Sequence, residues 1–164
     1  MQKILVIGCP GSGKSTFARK LRDVTGLPLY PLDLWWHRPD GSHVSRECFD
    51  EKLKAVLKTD RFILDGNYQR TLKLRLSACD TVFFFRLPVE VCLKGAMARI
   101  GKKREDLPWV ETELDEEFRQ QILSFPEKEL PAIEESLSHC REGQTIITFS
   151  SHAEADAYLA RLTA

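Results

Sequence analysis

The most constraining feature of this sequence is the segment 8–16, Gly-Cys-Pro-Gly-Ser-Gly-Lys-Ser-Thr, which contains the pattern G-x-x-x-x-G-K-[ST] without a mismatch. An apolar, largely β-branched run over 4–7 precedes it, and apolar residues at helical spacing follow it as far as Gly26. A strand, a glycine-rich loop and a helix in this order are the context in which the pattern binds phosphate. The segment therefore predicts a nucleoside triphosphate site.

Each residue type in this phosphate loop has a chemical reason to be there. Glycines let the backbone turn its N–H groups toward one anion, and the following helix adds the positive end of its dipole. Lys14 is predicted to bridge the β- and γ-phosphates, the Ser15 hydroxyl to ligate Mg²⁺, and Thr16 to lie on the α-phosphate side. The predicted nucleotide-binding residues are Gly8, Pro10, Gly11, Ser12, Gly13, Lys14, Ser15 and Thr16.

Composition narrows the class of partner. A length of 164 residues predicts one domain with a sizeable core. Because 24 basic and 24 acidic residues cancel, no general attraction to nucleic acid or to an anionic membrane is expected. No apolar run has the length of a membrane span, and the N-terminus lacks the layout of a signal peptide. The five cysteines show no C-x-x-C spacing, which favours reduced thiols and a cytoplasmic location.

Two aspartates that follow predicted strands are candidate site residues. Asp65 ends the apolar strand 62–65, as the acid of a Walker B strand does, and is predicted to meet the Mg²⁺ held by Ser15. Asp33 follows a short strand over 27–32 and could bind Mg²⁺, orient an acceptor hydroxyl or act as its base. Alternatively, Asp33 caps a turn and the nearby pair of tryptophans belongs to the core instead of lining an acceptor pocket.

Arginines supply the remaining candidates. Arg70 and Arg75 flank a short predicted helix, and Arg70 is expected on the acceptor side, where a guanidinium can clamp phosphate or carboxylate. A solvated helix face is the alternative for Arg75. Arg99 and Arg104 are predicted to close over the γ-phosphate as part of a short basic lid at about 100–111. A solvated charge run is the alternative interpretation of that lid.

The order of elements predicts the fold class. Strands and helices alternate five times, with the phosphate loop after the first strand. That order favours a parallel sheet with helices on both faces. The prediction is an α/β P-loop NTPase fold with a five-stranded sheet, formed by a single domain over 1–164.

Several segments resemble known P-loop kinases. Residues 62–66 followed by Arg70, and the start of the basic lid at 99–104, resemble adenylate kinases. Over nearly its whole length the chain is more similar to the bacterial DNA topology modulation proteins (FlaR-related), a branch of adenylate-kinase-like ATP-binding proteins. That similarity rests on four segments, 8–16, 32–37, 65–68 and 101–109. The resemblance implies an NMP-kinase-like fold and ATP binding.

The sequence also departs from true adenylate kinases. Asn67 and Tyr68 replace the Phe-Pro that normally follows the Asp-Gly pair, the usual Thr-Gly-Asp acceptor signature is missing, and the lid is brief. The position of Asp33 after a strand is more like the arrangement in small-molecule kinases such as those for shikimate or gluconate.

Two functional hypotheses follow. The first is a kinase that moves the γ-phosphate of Mg-ATP to a small-molecule or nucleotide-like acceptor. Its predicted catalytic residues are Lys14, Asp33, Arg70, Arg99 and Arg104, with Ser15 and Asp65 on Mg²⁺. The second is an ATP-binding regulatory protein that affects DNA topology with little or no phosphoryl transfer. The neutral charge and the absence of a helix-turn-helix or zinc signature disfavour the second.

Overall fold

Five parallel strands form one sheet, in the order β2-β3-β1-β4-β5. The computed structural model describes residues 1–164. Its strands are Lys3–Gly8 (β1), Leu29–Pro31 (β2), Phe62–Asp65 (β3), Thr81–Phe85 (β4) and Thr145–Phe149 (β5). Its helices are Lys14–Thr25 (α1), Leu32–Trp36 (α2), Arg46–Leu57 (α3), Leu72–Ala78 (α4), Val89–Ala98 (α5), Glu116–Lys128 (α6), Leu130–Ser138 (α7) and His152–Thr163 (α8), with a 3₁₀ turn at Gln69–Thr71.

The centre of the sheet is buried on both faces. Strand β1 pairs with β3 on one side and β4 on the other, and every residue of β3 and β4 is buried. Phe17 of α1 packs edge-on against the rings of Phe83, Phe85 and Phe149, with ring centroids 4.9 to 5.3 Å apart. Helices cover both faces of this sheet, as expected for apolar parallel strands. The predicted fold class is confirmed.

The second strand is shorter than predicted and lies at an edge of the sheet. Only Leu29–Pro31 is extended, and Leu32 already begins the five-residue helix α2. Proline cannot donate a ladder hydrogen bond, so a strand that ends in Pro31 fits an edge better than a centre. Asp33 is therefore the second residue of the short helix α2, two residues after the end of β2, and its predicted place directly after a strand is corrected by one residue.

The first helix ends where the sequence predicts. Gly26 adopts a left-handed conformation with φ +66°, and its N–H donates to the Arg22 carbonyl. In a separate observation, no helix of the protein is both long enough and apolar enough to cross a membrane.

Candidate functional site

The phosphate loop connects the buried strand β1 to helix α1. Gly11 and Gly13 have φ values of +82° and +87°, in the left-handed region that favours glycine. Gly13 is the N-cap of α1 and forms no side-chain cap, so the first N–H groups of α1 remain available to an anion. Ser12 is buried, and its hydroxyl oxygen has no hydrogen-bond partner in the protein.

The start of the loop is held by Asn67. Its side-chain amide donates to the Gly8 carbonyl at 2.6 Å, and its oxygen accepts from the Gly8 N–H at 2.9 Å. One side chain therefore satisfies both polar backbone groups of Gly8 at the point where the strand becomes the loop. This position lay in a segment of the family resemblance, but nothing in the sequence pattern predicted its contact with the loop.

The middle of the loop packs directly against helix α5. A Cβ atom built on Gly95 would lie 2.0 Å from the Gly11 carbonyl oxygen, and one built on Gly11 would lie 2.1 Å from the Cys92 carbonyl oxygen. Glycine is required at both positions because the two backbones touch. A glycine inside the apolar stripe of a predicted helix is a signal that could have identified Gly95.

The end of the loop contacts α8. His152 is the first residue of α8, and its Nε2 lies 2.9 Å from the Ser12 carbonyl oxygen. A Cβ atom on Gly13 would lie 3.0 Å from the same nitrogen. No sequence pattern links this histidine to the loop, because 140 residues separate the two partners.

Asp65 is the only acid at the C-terminal end of β3, and it is 4% exposed. Burial raises the pKa of its carboxyl group to about 6, although the Lys14 charge and the Ser15 hydroxyl act in the opposite direction. One carboxylate oxygen, Oδ1, is buried without a hydrogen-bond partner. An unpaired buried carboxylate oxygen beside a hydroxyl is a donor set that suits Mg²⁺, which is commonly bound by one or two carboxylates together with substrate phosphates and water. Ser15 and Asp65 therefore fit the predicted metal ion.

A hydrogen bond links the side chains of Asp33 and Tyr68. The Tyr68 hydroxyl donates to Asp33 Oδ1 at 2.6 Å. Tyr68 has φ +37°, a left-handed value that is uncommon outside glycine and points to a constrained loop. Burial and the neighbouring Asp33 charge raise the pKa of Tyr68, so its hydroxyl keeps its proton and remains a donor.

Arg75 corrects one expectation of the sequence analysis, which left open a solvated helix face. Its side chain is fully buried, and its guanidinium donates to the carbonyl oxygens of Gly66, Asn67 and Tyr68 and to the Thr71 hydroxyl. Burial lowers its pKa to about 10. The guanidinium therefore holds the loop that carries Asn67 and Tyr68, and it does not reach a ligand.

Arg70 lies away from the cleft. Both of its terminal nitrogens donate to the Asp50 carboxylate, at 2.9 and 2.7 Å, and its side chain is 43% exposed. It is not among the residues that line the cavities beside the phosphate loop. The geometry therefore gives no support to the predicted contact between Arg70 and an acceptor.

The predicted lid is a segment without regular structure between α5 and α6. Arg104 pairs with Asp106 and with Glu111, each at 2.5 Å, and Arg99 lies 3.3 Å from Glu111. Asp106 also accepts from Arg19 of α1 at 3.2 Å, which ties the lid to the helix that follows the phosphate loop. Burial, and then the Arg104 charge, lower the pKa of Arg99. The two arginines of the lid are thus held in an ion-pair network, whereas Lys102 and Lys103 are exposed, as the alternative interpretation expected.

Two cavities meet beside the phosphate loop. The smaller, of about 380 Å³, is lined by Gly11, Gly13 and Thr16, and the larger, of about 810 Å³, by Pro10 and Asp33. Four residues line both cavities, namely Lys14, Ser15, Arg99 and Arg104. Asp65 lines a third, smaller hollow that also includes Ser15. Apart from Arg70, the predicted catalytic residues therefore converge on one place.

Comparisons with known proteins are informative for the fold. No protein-family model matches the chain, and no curated protein matches it. A shikimate kinase from Acinetobacter baumannii in complex with shikimate is 18% identical with a TM-score of 0.61, covering 99% of this chain and 90% of that one. A shikimate kinase from Bacteroides thetaiotaomicron is 15% identical with a TM-score of 0.58, covering 97% and 94%. A gluconokinase from Sinorhizobium meliloti 1021 is 18% identical with a TM-score of 0.52, covering 99% and 93%.

The architecture of this chain matches the NMP-kinase-like P-loop fold of these structures. At such low identity the likeness concerns the fold alone. All three are small-molecule kinases, and none of them supports the resemblance to DNA topology modulation proteins.

Proposed function

We propose that this protein is an ATP-dependent kinase that transfers the γ-phosphate of Mg-ATP to a hydroxyl group of a small molecule. The observation that carries the proposal is the meeting of the two cavities at Lys14, Ser15, Arg99 and Arg104. A phosphoryl group at this junction would be in reach of three cationic side chains, those of Lys14, Arg99 and Arg104. An acceptor in the larger cavity would also reach it. Phosphoryl transfer depends mainly on such positioning and charge neutralisation.

The phosphate loop would hold the triphosphate in the smaller cavity, with Lys14 on the β- and γ-phosphates and Thr16 toward the α-phosphate. Ser15 and Asp65 would hold Mg²⁺. When bound, the metal ion would neutralise charge on the phosphates. Because Asp65 is buried, packing restricts its side chain, and its Oδ1 atom has no protein partner that a metal ion would have to displace.

Asp33 is proposed to orient the acceptor and accept its proton. The acceptor oxygen forms a bond to the γ-phosphorus while the bond from that phosphorus to the β–γ bridging oxygen breaks, and ADP leaves with the electron pair. The hydroxyl proton passes to the Asp33 carboxylate. Tyr68 fixes the orientation of this carboxylate through its hydrogen bond at 2.6 Å.

Arg99 and Arg104 are proposed to stabilise the transferred group from the lid at about 100–111. In the structure both arginines contact Glu111. Residues 1–164 would act as one kinase unit. The five cysteines are all free, which favours a reducing compartment such as the cytoplasm.

The resemblance to DNA topology modulation proteins supports a second candidate, an ATP-binding regulator that acts on DNA. The formal net charge of zero disfavours it, because DNA binding relies on many phosphate contacts. Measuring DNA binding against salt concentration separates the two candidates. A steep loss of affinity with added salt would favour the regulator, whereas no binding at low salt would eliminate it.

The kinase proposal is tested by following ADP release with a panel of hydroxyl-bearing metabolites, nucleosides and nucleoside monophosphates. One acceptor is expected to raise turnover well above the background reaction with water. Lys14→Ala should abolish turnover, and Asp33→Asn should lower kcat by about 10²–10⁴ with little change in ATP affinity. A flat response to the whole panel, together with tight ATP binding, would refute the kinase proposal.

A further inference from the structure

The two adjacent cavities differ in charge. Beyond the four shared residues, the smaller cavity is lined by three cationic side chains, Arg19, Lys102 and Lys103, with a single carboxylate, Asp106. This composition suits a triphosphate. Beyond the same four residues, the larger cavity has no lysine or arginine in its wall. Its wall contains five carboxylates, those of Asp33, Glu111, Glu113, Asp115 and Glu129.

Most of these carboxylates have no cationic partner within the protein. Glu111 is paired with Arg99 and Arg104. None of the ten ion pairs includes any of the other four carboxylates. The five carboxylates of the larger cavity therefore outnumber its three cationic side chains, Lys14, Arg99 and Arg104.

The four unpaired carboxylates differ in how much they are engaged by other groups. Asp33 accepts from the Tyr68 hydroxyl, and Asp115 caps the N-terminus of α6 by accepting from two backbone N–H groups. Glu129 has one long contact, at 3.5 Å, with the Gln121 amide. The side chain of Glu113 makes no hydrogen bond and no ion pair. Glu113 and Glu129 are consequently the two carboxylates most available to a ligand.

Aromatic side chains line the same wall. Trp36, His37, Tyr68, Trp109 and Phe118 all face this cavity. The Arg99 guanidinium already lies over the Phe118 ring, 5.3 Å from its centroid. Aromatic faces attract organic cations, most strongly where water is excluded, and combinations of rings with carboxylates recognise ammonium groups. The wall thus offers two kinds of favourable contact to a cation.

From this distribution we infer that the phosphate acceptor is a hydroxylated organic cation, of the amino-alcohol or amino-sugar class. The inference rests on the proposed kinase function. The ammonium group would lie between Glu113, Glu129 and the aromatic rings, which would leave the hydroxyl group toward Asp33 and the junction. A carboxylate or a monophosphate would find cationic partners only in Lys14, Arg99 and Arg104 at the junction, and elsewhere in this wall it would face like charges.

The test compares hydroxylated ligands of similar size that differ in charge. Choline is paired with its uncharged carbon isostere, neohexyl alcohol, and glucosamine is paired with gluconate. Binding is followed through tryptophan fluorescence in the presence of Mg-ADP, because Trp36 and Trp109 line the cavity. The cationic member of at least one pair is expected to bind about tenfold more tightly than its partner.

Substitutions test which carboxylates bind the cationic ligand. The double substitution Glu113→Gln and Glu129→Gln should lower the affinity for the cationic ligand about tenfold and leave that for the uncharged isostere, neohexyl alcohol, unchanged. Glu127→Gln, an exposed position on α6 outside the cavity, is the matched control and should change neither. Unchanged binding of a fluorescent ATP analogue verifies that each variant is folded.

Two outcomes would overturn the inference. One is that neither cation binds more tightly than its partner, and the other is that neither cation gives a saturable response. Failure of the kinase proposal is distinguishable, because it would appear as the absence of ADP release with acceptors of every charge. If gluconate or another anion is phosphorylated, the kinase function stands and only the charge of the acceptor is wrong.

Discussion

Replacing Asp65 with asparagine should stabilise the ligand-free protein while it disables the site. The carboxyl group has a pKa of about 6 in the folded protein against an ordinary value of 3.8, and burial is the main cause. At about 1.36 kcal/mol for each pKa unit, this difference corresponds to about 3 kcal/mol of lost stability once the group is ionised. Asp65→Asn removes the charge and keeps the shape, so it should recover most of that amount.

The sign of the pH dependence follows from proton uptake. Between about pH 4 and pH 6 the folded protein retains the Asp65 proton whereas the unfolded chain has released it. The stability of the unsubstituted protein therefore falls as pH rises through this window, and the penalty is complete above it. The advantage of Asp65→Asn should be near zero at pH 4 and largest at neutral pH.

Thermal unfolding in EDTA, without nucleotide, measures this effect. At neutral pH the Asp65→Asn variant should unfold about 5–10 °C higher, given about 2–4 °C per kcal/mol for a chain of this size. Asp60→Asn is the control, since Asp60 is exposed in a turn before β3. The same variant should lose most of its affinity for Mg-ATP. A stability difference that is equal at pH 4 and pH 7, or a variant less stable at both, would refute the assignment of a buried unpaired charge.

Two further substitutions test how the site is supported. Gly95→Ala should lower the affinity for ATP at least about tenfold in a nucleotide titration, because the new methyl group would collide with the Gly11 carbonyl. Met97→Ala, on the exposed side of α5, is the control and should leave the affinity for ATP unchanged. Arg75→Leu should lower the free energy of unfolding in urea by about 3 kcal/mol, because it leaves buried carbonyl groups unpaired. Lys73→Met, at an exposed position of α4, is the control and should change this free energy little. Equal effects of the two substitutions would show that the Arg75 hydrogen bonds are dispensable.

The local part of the site could be predicted from the sequence. The phosphate loop, Lys14 and Ser15 form one continuous segment, and Asp65 ends an apolar run, so short-range patterns predict them. The alternation of strands and helices predicted the parallel sheet for the same reason. These features depend on residues that are neighbours in the chain.

The contacts that hold the site could not be predicted in this way. Arg75 was open to a surface interpretation because its partners are backbone carbonyls, which every residue possesses and no pattern distinguishes. The pairing of Arg70 with Asp50 spans 20 residues, and the contact of His152 with the loop spans 140. Only the tertiary packing decides whether such an arginine reaches a ligand or an internal acid.

The phosphate loop is therefore fixed from three separate elements. Asn67 holds its start, the backbone of α5 abuts its middle at Gly95, and His152 contacts its end. A loop whose N–H groups already converge loses little conformational entropy when an anion binds, so more of the binding free energy remains available. The lid is held differently, by ion pairs that a triphosphate can replace because it offers the same arginines negative charge. The rigid loop and the exchangeable lid contacts together would let nucleotide binding organise the junction where the two cavities meet.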